Sequence, residues 1–121
     1  MKQKKTLVIG ASANPSRYSN LAIRSLVSHK QPVVAIGLRK ATVAGIEIET
    51  EKKPFEDIDT VTLYLNPTHQ KEYYNYIFSL KPQRIIFNPG TENDELKMMA
   101  RSKGIAAEEA CTLVMLSTNQ Y

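Results

Sequence analysis

At 121 residues, 42% of them hydrophobic and 23% charged, the chain has the length and composition of one folded domain with an ordinary core, which excludes a disordered or fibrous design. The net charge of +4 comes from 16 Lys and Arg against 12 Asp and Glu, and three of the positive charges fall in Met1-Lys2-Gln3-Lys4-Lys5, so the rest is near balance. No basic stripe interleaved with aromatics is present and there is no tryptophan, so nucleic-acid binding is not expected. Apolar runs are only a few residues long, against the roughly 20 needed to span a bilayer, and the run after the basic tip stops at Gly10. The expectation is a cytoplasmic protein without membrane attachment, a single domain over residues 1–121. The lone Cys111 forms no internal disulfide, in keeping with a reducing compartment.

In chain order, Leu7-Val8-Ile9 is a short apolar run that stops at Gly10, as a strand buried on both faces of a parallel sheet does. Leu21 to Val27 then has helical spacing, with Ser19 and Asn20 as N-cap candidates and an end near His29 or Lys30. Such a junction aims free N–H groups and the positive end of a helix dipole at one spot, which favours a phosphate. Pro32 to Gly37 reads as a second buried strand running into Leu38-Arg39-Lys40. Thr42 to Pro54, with a turn at Gly45 and alternation over Ile46-Glu47-Ile48-Glu49, predicts a half-exposed strand or extended edge, and Phe55 to Ile58 a single helical turn.

Thr60 to Leu65 is the third β-rich run, and Asn66-Pro67 places an N-cap and a proline at the next helix start. That helix carries Tyr73, Tyr74, Ile77, Phe78 and Leu80 as a stripe suited to packing on a sheet, and Pro82 ends it. Arg84-Ile85-Ile86-Phe87 predicts a strand and Asn88-Pro89-Gly90 a tight loop. Thr91 is expected to cap a helix that has acids at its start, bases at its end and Gly104 as its stop. Ile105-Ala106-Ala107 predicts a last strand, and Cys111 to Ser117 a last helix.

Strands alternating with helices throughout predict an α/β fold: a single-domain, Rossmann-like, doubly wound parallel β-sheet with helices on both faces. Ligands of such sheets sit at the carboxyl ends of the strands. The candidate residues are therefore Gly10-Ala11-Ser12, Gly37-Leu38-Arg39-Lys40, Asn66-Pro67 and Asn88-Pro89-Gly90. A dinucleotide site would carry G-x-G-x-x-G after the first strand, whereas here Gly10 is followed by Ser12, Asn14 and Ser16. An NAD site also needs a carboxylate after the second strand, where this chain has Arg39 and Lys40. A phosphate partner in that place favours a ligand with an extra ribose phosphate, NADP or coenzyme A.

Val8-Ile9-Gly10-Ala11-Ser12, followed by Pro15 and Ser19, resembles the opening V-[VI]-G-A-S-x-x-P-x-x-x-S of the small bacterial CoA-binding domain proteins, which are similar to the N-terminal domain of the succinyl-CoA synthetase alpha subunit. The resemblance covers nearly the whole chain. Gly45 matches a turn glycine, Phe55 to Asp59 before Val61 an aromatic and Ile-x-x-x-Val-Asp stretch, Pro89 or Asn88 with Gly90 and Glu92-Asn93 the Gln-x-Gly-x-x-Asn loop, and Cys111 a late cysteine. It implies that Gly10, Ala11, Ser12 and Ser19 border the CoA diphosphate, with Pro15 in the same loop. Gly37 to Lys40 would border the adenosine and its 3′-phosphate, with Lys40 as ion partner, and Pro67 and Gly90 the pantetheine path. Where the family commonly reads Val-Asn-Pro after the second strand, this chain reads Ile36-Gly37-Leu38-Arg39-Lys40.

No reaction centre assembles from the sequence. Cys111 has no histidine near it, His29 and His69 are isolated, and Tyr73, Tyr74 and Tyr76 read as packing on a helix. The reading is a non-catalytic module that binds CoA or an acyl-CoA, with a homodimer or another protein as a further partner. Two alternatives stay open. One is an NADP-dependent oxidoreductase, against which no Tyr-x-x-x-Lys is found. The other is a degenerate Rossmann-like fold acting through protein contacts.

Overall fold

Seven strands, most of them β-branched or apolar runs, form in the computed structural model, which describes residues 1–121. They are β1 (Thr6–Ala11), β2 (Val33–Gly37), β3 (Ala41–Val43), β4 (Ile46–Glu49), β5 (Thr60–Leu63), β6 (Arg84–Phe87) and β7 (Ala106–Glu109). All lie in one sheet, ordered β3-β4-β2-β1-β5-β6-β7. The helices are α1 (Tyr18–Ser28), α2 (Pro67–Gln70), α3 (Tyr74–Leu80), α4 (Asp94–Ser102) and α5 (Thr112–Ser117), with a single 3₁₀ turn at Lys71–Tyr73 between α2 and α3. None is long and apolar enough to cross a membrane.

Alternation along each strand divides the core in two. Leu7, Ile9, Val61, Leu63, Ile85 and Phe87 face α3 and α4, meeting Ile77, Leu96 and Ala100. Val8, Ala35 and Ile86 face α1 and α5, meeting Ile23, Leu26 and Leu116. Gly10 is the exception that positions the site. The pairing of β1 with β2 slips between Ile9 and Ala11, so Gly10 is a bulge, and Ala11 turns to the α1 side where strict alternation would have placed it on the other. Gly10 adopts φ +92°, and a side chain there would press on the carbonyl of Tyr64 at 2.9 Å. The chain runs from β1 to β2 and β4 on one side, then crosses back to β5 on the other, so the strand order reverses between β1 and β5.

The fold is the Rossmann-like α/β sheet expected, with local corrections. The sheet is not wholly parallel: β3 and β4 form an antiparallel hairpin about Gly45, because a two-residue turn can only return the chain antiparallel. Helix α1 begins at Tyr18 with Arg17 as its cap residue, so Ser19 and Asn20 are buried in its first turn and do not cap it. Phe55 to Ile58 is not helical. Asp57 takes φ 58°, which no helix tolerates, and the segment instead lowers Ile58 into the core. The Tyr73 to Leu80 stripe is interrupted at Lys71–Tyr73, where Lys52 Nζ donates to the Glu72 carbonyl at 2.7 Å, and only Ile77 is fully buried. Helix α4 is capped by Asn93, whose Oδ1 accepts from Leu96 N at 3.2 Å, while the Thr91 hydroxyl donates to the Asn88 carbonyl at 2.8 Å.

At the end of β2, Gly37 lies so close to β1 that an added Cβ would collide with the carbonyl oxygen of Ala11 and stand 2.9 Å from Ile48 Cγ2. Both neighbours are part of the packed sheet and have no free direction to yield. Gly37→Ala is therefore expected to lower unfolding free energy by about 1–3 kcal/mol, as overpacking does, in urea titrations. Unchanged stability would show that the two strand ends are not locked together.

Candidate ligand-binding cleft

A cleft of about 790 Å³ opens at the carboxyl ends of β1, β2, β5 and β6, where the strand order reverses. Gly10, Ala11, Ser12 and Ser19 line it from the first loop and helix, Gly37, Leu38, Arg39 and Lys40 from the second strand end, and Asn66, Pro89 and Gly90 from the third and fourth. The structure thus brings together eleven of the sequence-selected positions. Pro15, Pro67 and Asn88 stand outside the lining. Pro15 lies on the exposed bend that leads to α1, and Pro67 occupies the first turn of α2 behind its cap, Asn66, whose Oδ1 accepts from His69 N at 3.0 Å. Asn88 turns inward: its Nδ2 donates to Thr62 Oγ1 and to the Leu63 carbonyl, and its Oδ1 accepts from Thr112 N at 2.9 Å. It is a buried staple joining β5 to α5.

The first loop is shaped by its own short side chains. Ser12 Oγ accepts from Asn14 N at 3.1 Å, Asn14 Oδ1 accepts from Ser16 N at 3.0 Å, and Asn20 Nδ2 donates to the Ser12 carbonyl at 3.0 Å. These bonds leave the N–H groups of Ser12, Ala13, Tyr18 and Ser19 without protein acceptors at the mouth of α1. No acidic residue occupies the first turn of that helix and no side chain caps it. Arg17, Arg39 and Lys40 all line the cleft, and neither of the two salt bridges in the molecule, Glu49–Lys53 and Lys97–Glu109, involves them. No carboxylate lines it. Three unpaired cations, free N–H groups and a helix N-terminus suit the cleft chemically to a ligand with several negative charges.

The opposite wall is apolar and aromatic, formed by Tyr64, Leu65, Tyr73 and Pro89. Its shape is fixed by a buried amide network. Gln70 Nε2 donates to the carbonyls of Leu65 and Thr91 at 2.8 Å each, and Asn93 Nδ2 donates to Gln70 Oε1 and Tyr74 OH, also at 2.8 Å. One side chain thereby ties the loops after β5 and β6 together. Tyr73, which the sequence suggests is helix packing, is instead cleft wall, set edge-on to Tyr76 at 6.5 Å and covered by Lys52 Nζ at 4.9 Å from its ring. Arg17, Tyr18, Tyr64, Leu65 and Thr91 also line the cleft, beyond the positions that the strand ends and the family resemblance indicate. Tyr64, Leu65 and Thr91 each adjoin a candidate loop, so extending those loops by one or two residues would have found them.

Other candidates stay apart. Cys111 is the half-buried cap residue of α5 and does not line the cleft. His29 and His69 are exposed, His29 with its Nδ1 at 2.7 Å from the Ser25 carbonyl.

The sequence model of the family described as CoA binding domain matches residues 4–117. A solved structure of an uncharacterized protein is 47% identical over 100% of both chains, with a TM-score of 0.97. A hypothetical protein from Pyrococcus horikoshii OT3 is 22% identical at a TM-score of 0.86, over 97% of this chain and 84% of that one. The dinucleotide-forming acetyl-coenzyme A synthetase 1 of Ca. Korarchaeum cryptofilum, solved with phosphate and ADP, has the same fold at 18% identity and a TM-score of 0.69; the match covers 86% of this chain and 25% of the synthetase. No curated protein matches the chain.

Burial pushes the Tyr64 hydroxyl up to about 12, while the hydroxyls of Thr112 and Thr62 pull it down by less. The folded protein therefore keeps a proton that the unfolded chain sheds near pH 10, its ordinary value. This contribution is fully present below pH 10 and is lost as pH rises from 10 to about 12. Urea unfolding between pH 9 and pH 12 is expected to show a decline in stability that is shallower in Tyr64→Phe, with Tyr76, also raised to about 12, and Tyr73, Tyr74 and Tyr121, raised by burial too, sustaining the remainder. Identical slopes in both proteins would contradict this.

Proposed function

The chain belongs to the CoA binding domain family, and from that premise we propose that it is a non-catalytic module that binds coenzyme A or an acyl-CoA along the strand ends. The observation that carries the proposal is the division of the cleft into a cationic half, at Arg17, Arg39 and Lys40, and an apolar half, at Leu65, Tyr73 and Pro89. CoA has the same division, with its diphosphate and 3′-phosphate at one end and an uncharged pantetheine at the other. The diphosphate is assigned to the N–H groups of Ser12, Ala13, Tyr18 and Ser19, the 3′-phosphate to Lys40 with Arg39 beside it, and the pantetheine to the path past Asn66 and Gly90.

The non-catalytic reading rests on the lining itself, which holds no Asp, Glu, His or Cys. A bound thioester there would meet serine, threonine and tyrosine hydroxyls, amides and apolar walls, with no carboxylate, imidazole or thiol in the lining to activate a hydroxyl. Tyr64 in particular stays protonated, given its raised pKa. Such a site preserves an acyl-CoA for delivery or sensing. It works in a soluble compartment, and 1–121 acts as one ligand-binding unit.

Titration calorimetry with CoA, dephospho-CoA, NADP and NAD tests the proposal. CoA is expected to bind best, dephospho-CoA more weakly for want of the 3′-phosphate, and the two nicotinamide dinucleotides weakest. Lys40→Glu is expected to weaken CoA by at least about tenfold, the scale of one charge-assisted hydrogen bond, and to change dephospho-CoA much less. Equal losses for both ligands would remove the 3′-phosphate from Lys40, and preferential binding of NADP would replace CoA as the ligand.

A further inference from the structure

We propose that Lys52, which stands outside the cleft, is a positioning residue that holds Tyr73 in the cleft wall against the uncharged part of the ligand; this rests on the CoA reading above. The chain crosses from β4 to β5 through residues 50–59 without a helix or strand, so the crossover has no ladder of its own to fix its course. Two tight turns shape it instead, Lys53 N donating to the Glu51 carbonyl at 2.9 Å and Phe55 N to the Lys53 carbonyl at 2.8 Å. Phe55 packs against the core on the α3 and α4 side. The Lys53 ammonium pairs with Glu49 at 3.0 Å, and the Lys53 carbonyl also accepts from the Tyr76 hydroxyl. The crossover is thereby a strap, fastened to β4 through Glu49 and to α3 through Tyr76.

Lys52 reaches from this strap to the turn that carries Tyr73. Its Nζ donates to the Glu72 carbonyl at 2.7 Å and stands 4.9 Å from the centre of the Tyr73 ring, so one cation holds the backbone and the ring together. The neighbouring Tyr74 and Tyr76 are each anchored by a hydroxyl hydrogen bond, to Glu95 and to the Lys53 carbonyl, whereas no such bond anchors Tyr73. The half-buried Tyr73 lines the cleft, while neither Lys52 nor the edge-on Tyr76 does, so both supports stand behind the wall. Loss of Lys52 frees the Tyr73 ring and the turn beneath it, and a ligand packing on that ring must then order both. Tyr73 belongs to the apolar half of the cleft, so the cost falls on a ligand's pantetheine and not on its phosphates.

Calorimetry of the Lys52→Met variant with CoA and with adenosine 3′,5′-bisphosphate, which has the charged end of CoA but no pantetheine, separates this role from a general one. Affinity for CoA is expected to fall roughly threefold to tenfold, the scale of one cation–π contact, and affinity for the bisphosphate to stay within about twofold. A long-range pull of Lys52 on phosphates, or a loosened fold, would weaken both ligands alike and overturn the proposal. Lys52→Arg, which keeps a donor and a cation for the ring, is expected to bind CoA as the wild type does. In a Tyr73→Ala background, Lys52→Met is expected to cost nothing further, because the group it positions is gone. A full further loss there would show that Lys52 does not act through Tyr73 and would overturn the proposal. If the wild type binds neither ligand, the CoA reading falls and takes this one with it; if the wild type binds CoA and Lys52→Met binds it equally, only this one falls.

Discussion

The close approach of β1 and β2 at their carboxyl ends is the constraint on which the rest of the structure depends. Gly37 lies against the carbonyl of Ala11 with no space for a methyl group, and one residue earlier in β1 the bulge at Gly10 turns Ala11 towards α1. The bulge lets the strand end be pulled under α1 while Ile9 remains in the opposite core. It also fixes the direction in which Ser12 and Ala13 leave the sheet. With two strand ends pinned by backbone contact, the loop between β1 and α1 has little freedom left, and its own short-range bonds at Ser12, Asn14 and Asn20 remove most of the remainder. A ligand arriving at the cleft then meets N–H groups already in place, so it need not order them, which is how preorganisation raises affinity.

The two halves of the cleft are held by different physics. On the cationic side the backbone is rigid and the charges are on long, exposed side chains, Arg17, Arg39 and Lys40, that can follow a ligand's phosphates. On the apolar side the walls are fixed by the amide network from Gln70 to Asn93, buried and fully partnered, so that the loops after β5 and β6 move as one. Asn88 completes this support from below by joining β5 to the start of α5. A binding protein needs that combination: adaptable charge where the field is long-ranged, and fixed shape where contact is short-ranged.

Much of this was legible in the sequence because the strands are short, buried and stopped by glycine or asparagine, and each stop marks a cleft loop. Gly10, Gly37, Asn66 and Gly90 were all visible for that reason, and the family resemblance agreed with them. What the sequence concealed depends on contacts between distant segments. Gln70 looks like an ordinary polar residue on a helix, and its role appears only when the loops after β5 and β6 are adjacent. Tyr73 has helical spacing with Ile77, but the 3₁₀ turn before α3 rotates it into the cleft wall. Cap preferences point to Ser19 and Asn20, the residue types that ordinarily begin a helix, and so give no signal for Arg17. Position after a strand points to Asn88 and Pro67 as cleft residues but does not reveal whether a side chain turns outward or in.

The measurement that reaches the central claim most directly is the amide spectrum of isotope-labelled protein, recorded by heteronuclear NMR with and without CoA. The free N–H groups of Ser12, Ala13, Tyr18 and Ser19 are predicted to move furthest, together with those of residues 37–40, because the proposed binding mode sets them against the phosphates. Amides of β7 and the outer face of α4 should stay in place. No change at these positions, or changes centred on another surface, would contradict a phosphate-binding cleft built on the junction of β1 and α1.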